Sequence, residues 1–419
     1  MSDVLMTVPA EEAFASVAAQ AVQGAGEAFG MPGPIGLALA LASEEIIAFA
    51  ARCGNKRHPV SLICRDGRYR MVVELSIAAA DFEPRFFNLP RQVSIDNEDD
   101  VKELGLLLTA RAVDSFSLSV EGGELRMVLD KLRPYTTLPS GPLAASGTGA
   151  WSLQPVTTDH LARLCRIISC ISGTPSFLLQ PGRVIDMVEI GELAGCVAER
   201  SDGSIAGGIL WAAGGDRVIE VHGPYLEPGA NAAAEPLVEA CLMALARSTT
   251  VGVICRNAGM DFPEHLFEPL GIHQNERVFY RELQEDMGAL IWVDPGIEPF
   301  LAETYHRLGY ARQMTRFVDN GQRIPSHSVI AVETLGDQGG AVLRPCLPGA
   351  DVTNNVTSHR DHLAKAGLRW MVFEVDLGVG WQLSFVPGLL GSGFEPAYII
   401  PNGGRGDLLM LRWVAPKGQ

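Results

Sequence analysis

The sequence predicts a protein of the α/β (α+β) class that is divided into several consecutive domains. The chain has 419 residues, which is long enough for two to four domains of roughly 100–200 residues each. Helical patterns alternate along it with short runs of alternating apolar and polar residues, which are typical of strands. Its content of 47% hydrophobic and 20% charged residues is typical of folded domains with apolar cores.

The charge balance argues against two classes of partner. The chain carries 33 basic and 49 acidic residues, for a formal net charge of −16. Nucleic-acid and anionic membrane surfaces need clustered Lys and Arg, and the sequence has no basic run interleaved with aromatic residues. We therefore expect no nucleic-acid partner and no membrane partner.

The cysteines and the N-terminus indicate a cytoplasmic protein. The eight cysteines are scattered, without a CxxC motif and without a histidine at metal-ligand spacing, so we expect no metal site. The opening "MSDVLMTVPAEEAF" is acidic where a signal peptide is basic and then apolar. The longest apolar stretch, "PIGLALALAS", is shorter than a bilayer span and ends at Glu44 and Glu45.

The first predicted domain, block one, covers residues 1–136. Its patterns predict helices over Ala10–Phe29 and Gly36–Arg52, two strands, and a third helix that opens near Gly105 and leads into a hairpin. Gly122-Gly123 between two alternating runs is a typical hairpin signal. A helix that opens on glycine is typical of phosphate-binding helix N-termini.

Three stretches of block one resemble the GHKL ATPase superfamily, in particular its anti-sigma-factor serine kinase branch: "LMTVPAEEAFASVAAQAVQGAGEAFGM", "LALALASEEIIAFAARCG" and "ELGLLLTARAVDSFSLSVEGGELRMVL". The resemblance implies a nucleotide fold in which a helix Glu and an Asn four residues later hold Mg²⁺. Here the residue four positions after Glu45 is Phe49, and Ile77 stands where the family has its adenine-binding Asp. Neither apolar side chain offers an oxygen ligand. We therefore expect a degenerate domain that binds no ATP and no Mg²⁺ and serves as a regulatory or docking domain for a protein partner.

The second predicted domain, block two, covers residues 151–293 and follows a Pro-, Gly- and Ser-rich linker over 137–150. Its patterns predict a strand, a helix capped by Thr157 or Thr158, and two strands around the Asp202-Gly203 turn. A further strand, a helix, a strand and a short helix in "PEHLFEPLG" follow.

This order of elements resembles the GNAT acetyltransferase superfamily over roughly Trp151–Ile272, through "LQPVTTDHLARL", "SDGSIAGGI" and "RNAGMDFPEHLFEPLGI". The resemblance implies an N-acyltransferase that uses acetyl-CoA or another acyl-CoA. It also implies that backbone N–H groups of the loop before a helix hold the CoA pyrophosphate. The loop "GANAAAEPL" lacks the family's usual Arg or Gln and carries Glu235 instead. The cofactor-binding residues are then Gly229, Ala230, Asn231, Ala232 and Ala233.

Three residues are candidates for acid–base chemistry. Glu220 and His222 are spaced by two on one predicted strand, so both face the same side, where a base is needed to deprotonate an amine. The alternative is an edge-strand carboxylate beside a hydrogen-bonded core histidine. The family's acid, a Tyr, is replaced by Phe267, which leaves Tyr225 as the nearest substitute.

The third predicted domain, block three, covers residues 294–419 and resembles the later half of the GNAT fold more weakly. We find no pyrophosphate loop in it. His359 and His362 lie three apart on a predicted helix, but without a further ligand at metal spacing they are interpreted as a solvated helix face.

Two functions remain open from the sequence. One is an acyl-CoA-dependent N-acyltransferase with a degenerate ATPase-like regulatory or docking domain. The other is a non-catalytic regulatory protein whose modules bind a protein partner or sense CoA. The acyl acceptor and the oligomeric state are not specified by any motif.

Overall fold

The computed structural model describes residues 2–53, 58–78, 87–90, 112–121, 123–141, 149–259, 261–274, 276–318, 324–335 and 338–416. The described strands form several sheets, and helices are interspersed between them. The predicted mixed α/β class is therefore confirmed.

Block one is an antiparallel sheet in the order β1-β2-β3-β5-β4 with two helices packed on it. Gly26 and Gly36 allow the helices to approach closely, since a Cβ on Gly26 would lie 3.1 Å from the Gly36 Cα. The predicted hairpin is confirmed by the pairing of β4 with β5, whereas the predicted helix at Gly105 lies outside the described residues. The elements are β1 (Asp3–Val8), α1 (Ala15–Ala28), α2 (Gly33–Cys53), β2 (Val60–Asp66), β3 (Arg70–Ala78), β4 (Ser115–Glu121) and β5 (Glu124–Leu132).

Two positions that bear on nucleotide binding lie in the core of block one. Phe49, four residues after Glu45, is 4% exposed, and Ile77 is 3% exposed. Both belong to the apolar core between the helices and the sheet. The sites where the ATPase resemblance expects a metal ligand and an adenine ligand are thus filled by packed hydrocarbon.

Helix α2 corrects one expectation from the sequence. Its stretch Gly33–Arg52 has a mean hydropathy of 1.6 and is long and apolar enough to cross a membrane by length and composition. The apolar stretch was expected to end at Glu44 and Glu45, but it continues beyond them to Arg52. Of its most apolar window, 56% is buried within the protein, which is also what a core helix shows.

Block two contains a seven-stranded sheet in the order β11-β12-β10-β9-β8-β7-β6. The predicted elements are present in the predicted order up to Cys255, but a second helix, Pro181–Glu189, was not predicted. The stretch predicted as one short helix is instead a single 3-10 turn, Glu264–Leu266, followed by a strand. The elements are β6 (Trp151–Pro155), α3 (Thr158–Ile168), α4 (Pro181–Glu189), β7 (Leu193–Arg200), β8 (Ile205–Ala213), β9 (Val218–Leu226), α5 (Ala234–Leu245), β10 (Gly252–Cys255), β11 (Glu268–His273) and β12 (Glu276–Glu282).

The middle of this sheet contains a parallel pair that separates. Strands β9 and β10 are paired only from Val218–Glu220 to Gly252–Ile254. Beyond this point β9 continues to Leu226, whereas β10 ends at Cys255. The two strands therefore leave a gap in the sheet at their carboxyl ends.

Block three contains a five-stranded sheet in the order β15-β16-β17-β19-β18, beside a parallel pair of β13 with β14. The pairing of β13 places the change of sheet between Glu282 and Ala289, a few residues before the predicted boundary at 293. The elements are β13 (Ala289–Val293), α6 (Glu298–Leu308), β14 (Arg312–Arg316), β15 (Val329–Leu335), β16 (Gly340–Leu347), α7 (Val352–Lys365), β17 (Trp370–Asp376), α8 (Val386–Gly391), β18 (Glu395–Ile400) and β19 (Leu408–Val414).

The two histidines of α7 were expected to share a solvated helix face, but they do not. His359 is 0% exposed, and its Nδ1 lies 3.0 Å from the backbone oxygen of Asn355, whereas His362 is exposed. The interpretation was wrong for His359, because the helical period of 3.6 places it with Asn355 and Leu363 on the core side.

The three blocks pack against one another. The edge strand β4 of block one lies beside β15 and β16 of block three. Strand β11 of block two meets β18, where a Cβ on Gly271 would lie 2.5 Å from the backbone oxygen of Ala397. A cavity between blocks two and three lies next to this contact.

Candidate functional site

Glu220 and His222 on β9 line the same cavity, as their spacing predicts. The cavity has a volume of about 380 Å³ and lies between β9, the segment after β10, and the sheet of block three. Its charged and aromatic walls come from all parts of this interface, and include Phe177, Arg183, Arg256, His273, Glu333 and Arg344.

Glu220 is held in an ion pair rather than standing free. Its Oε2 accepts a hydrogen bond of 2.9 Å from Nη1 of Arg256, which directly follows β10. Burial by itself lowers the pKa of Arg256, but Glu220, Tyr398 and Glu374 together outweigh it, so the pKa is raised and the guanidinium stays charged. Strand β9 lies between β8 and β10 here, so Glu220 is not on an edge strand.

Arg256 links this ion pair to block three. Its side chain hydrogen-bonds Tyr398 of β18, and the Tyr398 hydroxyl lies 3.2 Å from Nδ1 of His273. Burial lowers the pKa of His273 to about 4, so this histidine is neutral at pH 7. The polar wall of the cavity is therefore a connected network that spans both blocks.

His222 has no hydrogen bond to any described residue. It is 7% exposed, and its ring stands edge-on to Phe177 at 5.5 Å between centroids. Burial lowers the pKa of His222, so the imidazole is neutral at pH 7 and carries a free lone pair. A neutral imidazole that faces a cavity can accept a proton from a bound amine.

Tyr225 lies further along β9 than Glu220 and His222. It lines a separate cavity of about 240 Å³ together with Pro224, Leu226 and the loop 171–174. Its hydroxyl is buried and has no hydrogen-bond partner among the described residues. Burial raises the pKa of Tyr225, so the hydroxyl keeps its proton and is available as a donor. Phe267, which replaces the family's Tyr, is buried in the core.

The two cavities adjoin at Asn257, which lines both. The structure therefore does not bring Tyr225 into the same cavity as Glu220 and His222. It places all three on β9, in two cavities that adjoin at the carboxyl end of the paired part of β9 and β10. A ligand that extends from one cavity into the other would contact both groups.

In the predicted phosphate loop, some backbone N–H groups already donate hydrogen bonds to nearby backbone carbonyls. The N–H of Ala230 donates to the Glu227 carbonyl, and the N–H of Ala233 donates to the Ala230 carbonyl. In the described part of the chain, the N–H groups of Asn231 and Ala232 have no backbone acceptor. Gly229 has a φ of +86° and nothing within 4 Å of the place where a Cβ would stand, so the loop is open to solvent.

The side chains around this loop are acidic. Nδ2 of Asn231 donates to Asp261 at 2.8 Å. Glu235, in the first turn of α5, lies 3.1 Å from Nε2 of His265. The loop thus offers two backbone donors at a helix N-terminus, beside carboxylates that weaken the attraction for an anion.

Comparisons with known proteins give a result for structures only. No family model and no curated protein matches the sequence. An acetyltransferase of the GNAT family from Staphylococcus aureus is 13% identical over 32% of this chain and 100% of its own, with a TM-score of 0.27. A GNAT family N-acetyltransferase from Escherichia coli in complex with CoA is 14% identical over 34% of this chain and 86% of its own, with a TM-score of 0.26.

A third similar structure covers more of the chain. The ribosomal-protein-S5-alanine acetyltransferase from Vibrio fischeri is 7% identical over 66% of this chain and 99% of its own, with a TM-score of 0.17. The first two of these structures belong to the GNAT family. The resemblance of block one to GHKL ATPases stays a prediction.

Several residues of the cavity were not found from the sequence. Arg256 carries a signal in retrospect, because a charged residue directly after a buried strand often serves a site at the strand's carboxyl end. Arg183 on α4 and the residues from block three carry no such signal. They reach the cavity only through the packing of distant segments.

Proposed function

We propose that this chain is an acyl-CoA-dependent N-acyltransferase of the GNAT type, with its reaction centre at the gap between β9 and β10. The observation that carries the proposal is a pair of polar groups on β9, His222 and Tyr225, that have no hydrogen bond to any described residue and that line adjoining cavities. The Tyr225 hydroxyl is buried without a partner among the described residues. Such buried polar groups are rare and call for an explanation, such as a ligand.

The chemistry of the proposed reaction suits these two groups. An acyl-CoA supplies a thioester, and the amine nitrogen bonds to its acyl carbon as the carbon–sulfur bond breaks. His222 takes the proton that the amine must lose, and the Tyr225 hydroxyl gives a proton to the departing sulfur. Glu220, held by Arg256, keeps a negative charge near His222 that stabilises the imidazolium formed in the step.

The loop from Gly229 to Ala233 would hold the CoA pyrophosphate. The free N–H groups of Asn231 and Ala232 lie where α5 begins, and a helix N-terminus favours an anion by about 0.3–1 kcal/mol per charge at exposed sites. Because no Arg or Lys supplements these donors in the loop, we expect weak binding.

The test is a CoA-release assay on the full chain with acetyl-CoA and a panel of primary amines. His222→Gln should lower the rate about 10²–10⁴-fold, which is the usual contribution of a general base. Tyr225→Phe should lower it less, and Glu220→Gln should lower it without changing CoA binding. The control is His362→Gln, at the exposed histidine of α7 in block three.

The control variant should match the parent. If the parent releases no CoA with any amine, or if His222→Gln is as active as the parent, the proposed reaction is wrong.

One observation favours a second function, a non-catalytic regulator that senses CoA or binds a protein partner. The cavity at Tyr225 is lined by the carboxylates of Asp261 and Glu276 and by no Lys or Arg among the described residues. Such a lining is unfavourable for a polyanionic cofactor. Binding of CoA without transfer would support the sensor, and absence of both would support the regulator.

For block one we propose a regulatory or docking role in the cytoplasm, in contact with a protein partner. Support comes from its resemblance to anti-sigma kinases together with the apolar side chains of Phe49 and Ile77 at the expected ligand positions. A pull-down with the full chain and with a β1 surface variant, Leu5→Glu, tests it. Leu5 is 72% exposed, so this change leaves the core intact.

A further inference from the structure

Arg183 stands out among the arginines around the cavity because it has no counter-charge. Arg256 pairs with Glu220, and Arg344 pairs with both Glu333 and Glu374, at 2.8 and 2.6 Å. Arg183 makes no ion pair and no hydrogen bond within the described part of the chain, and its Nε is buried without a partner.

The position of Arg183 is fixed by aromatic rings. Its guanidinium carbon lies 5.3 Å from the ring centroid of Tyr69 and 5.6 Å from that of Phe177. Guanidinium groups stack on aromatic faces, so the side chain is oriented without any carboxylate. Burial lowers the pKa of Arg183, in contrast to the raised pKa of Arg256 and Arg344 beside their carboxylates.

Arg183 and the proposed base are close together. Phe177 contacts both, since the His222 ring stands 5.5 Å from the same aromatic ring. Arg183 and His222 also line the same cavity of about 380 Å³, which lies at the small end of the range for small-molecule sites. One small ligand can therefore reach both groups.

The part of the cavity wall that comes from block three carries an excess of negative charge, and its Glu333 acts electrostatically on Arg183. Glu333 and Glu374 share a single guanidinium, that of Arg344. The three charges leave one carboxylate in excess on the side of block three. A ligand with an anionic group at one end and an ammonium at the other would match the two walls.

We propose that the acyl acceptor is a small molecule with both a carboxylate and a primary amine, of the amino acid class, whose carboxylate pairs with Arg183. This inference rests on the proposed function only in calling the ligand an acyl acceptor. The binding of the ligand to Arg183 does not depend on that function. The amine then lies toward His222 and the acidic wall. An arginine fork binds a carboxylate through two parallel hydrogen bonds, which gives orientation as well as affinity.

The experiment measures binding to the full chain, by thermal shift and then calorimetry, with the twenty common amino acids and the decarboxylated amine of each. We expect at least one amino acid to bind and its decarboxylated amine to bind at least tenfold more weakly. Arg183→Gln should weaken the amino acid at least tenfold and leave the amine unchanged, whereas Arg183→Lys should restore part of the affinity. Arg247→Gln, at an exposed arginine near the end of α5, is the matched control.

Several outcomes would overturn the inference: no amino acid binds, an amine binds as well as its parent amino acid, or Arg183→Gln binds like the parent chain. Melting curves without ligand show whether Arg183→Gln is folded. A CoA-release assay separates this inference from the proposed function. Arg183-dependent binding without CoA release contradicts only the transferase, and CoA release that is indifferent to the carboxylate contradicts only the inference.

Discussion

Blocks two and three each contain a parallel pair of strands that separates, and the two gaps differ in how their polar groups are satisfied. In block three, β16 and β17 are paired from Gly340–Leu343 to Trp370–Phe373 and then diverge. The first residues past this pair are Arg344 and Glu374, which form an ion pair across the gap. In block two, His222 and Tyr225 at the corresponding gap have no hydrogen bond to any residue that the structure describes.

The loops that follow the two gaps also differ in how closely they are packed against the rest of the protein. In block two, Gly229 has open space around it. In block three, a Cβ on Gly349 would lie 2.0 Å from the backbone nitrogen of Ser328, so the loop is packed against a neighbouring segment. Asp351, just before α7, accepts hydrogen bonds from the backbone and hydroxyl of Ser328. A negative charge thus already occupies the helix N-terminus.

The comparison teaches that the strand order alone does not make a site. Both sheets provide a gap beside a helix N-terminus, but in block three Arg344, Glu374 and Asp351 at the gap and the helix N-terminus are paired within the protein. Block two leaves some of them unsatisfied, at a cost of about 1–3 kcal/mol for each buried group. Such a cost is expected where a ligand completes the hydrogen bonds.

The largest expected effect comes from a pair of glycine substitutions. Gly349→Ala forces a Cβ into the backbone of His327 and Ser328, so we expect a loss of about 3 kcal/mol or more in the free energy of unfolding. Gly229→Ala has room but requires a φ of +86°, so we expect about 1 kcal/mol. Denaturant unfolding of both variants measures the difference, and equal losses would mean that the two loops are packed alike.

The second effect is on how the free energy of unfolding depends on pH, through a buried histidine of block three. Burial lowers the pKa of His359 from 6.5 to about 4. The unfolded chain therefore binds a proton first, so the stabilisation is complete above pH 6.5 and is lost as the pH falls toward 4. A shift of this size corresponds to about 3 kcal/mol. His359→Asn should remove that part of the pH dependence of unfolding, whereas His362→Asn, at the exposed histidine of the same helix, should not. Unchanged slopes in both variants would contradict the buried neutral state.

Many element types of blocks two and three could be predicted, because they depend on short-range patterns, but helix α4 and strand β11 were missed. The hairpin at Asp202-Gly203 follows from turn chemistry, and the common face of Glu220 and His222 follows from the two-residue period of a strand. The buried face of α7 could have been read from its 3.6-residue period. It was missed because His359 and His362 were judged by their separation alone.

The composition of the cavity could not be predicted, because it depends on packing between distant segments. Arg183 meets Tyr69 of block one, and Arg344 reaches the cavity from block three. Likewise, the sequence of the loop at Gly229 does not show that the N–H groups of Ala230 and Ala233 are already used. That depends on the local turn geometry.

The smallest expected effect is the response of block one to nucleotide. With apolar side chains at Phe49 and Ile77, Mg-ATP should leave the melting temperature of the full chain unchanged and give no heat in calorimetry at physiological concentration. Micromolar binding that requires Mg²⁺ would show that other residues have taken over the lost ligands.

The most direct measurement is calorimetry of acetyl-CoA with the full chain and two matched variants. Ala232 and Ala350 are both exposed and both lie two residues before a helix, α5 in block two and α7 in block three. The parent chain should bind acetyl-CoA weakly, Ala232→Asp should bind at least tenfold more weakly because a carboxylate would meet the pyrophosphate, and Ala350→Asp should match the parent. Absence of binding to the parent, or equal binding to the parent and Ala232→Asp, would contradict the assignment of the open gap in block two as the cofactor site.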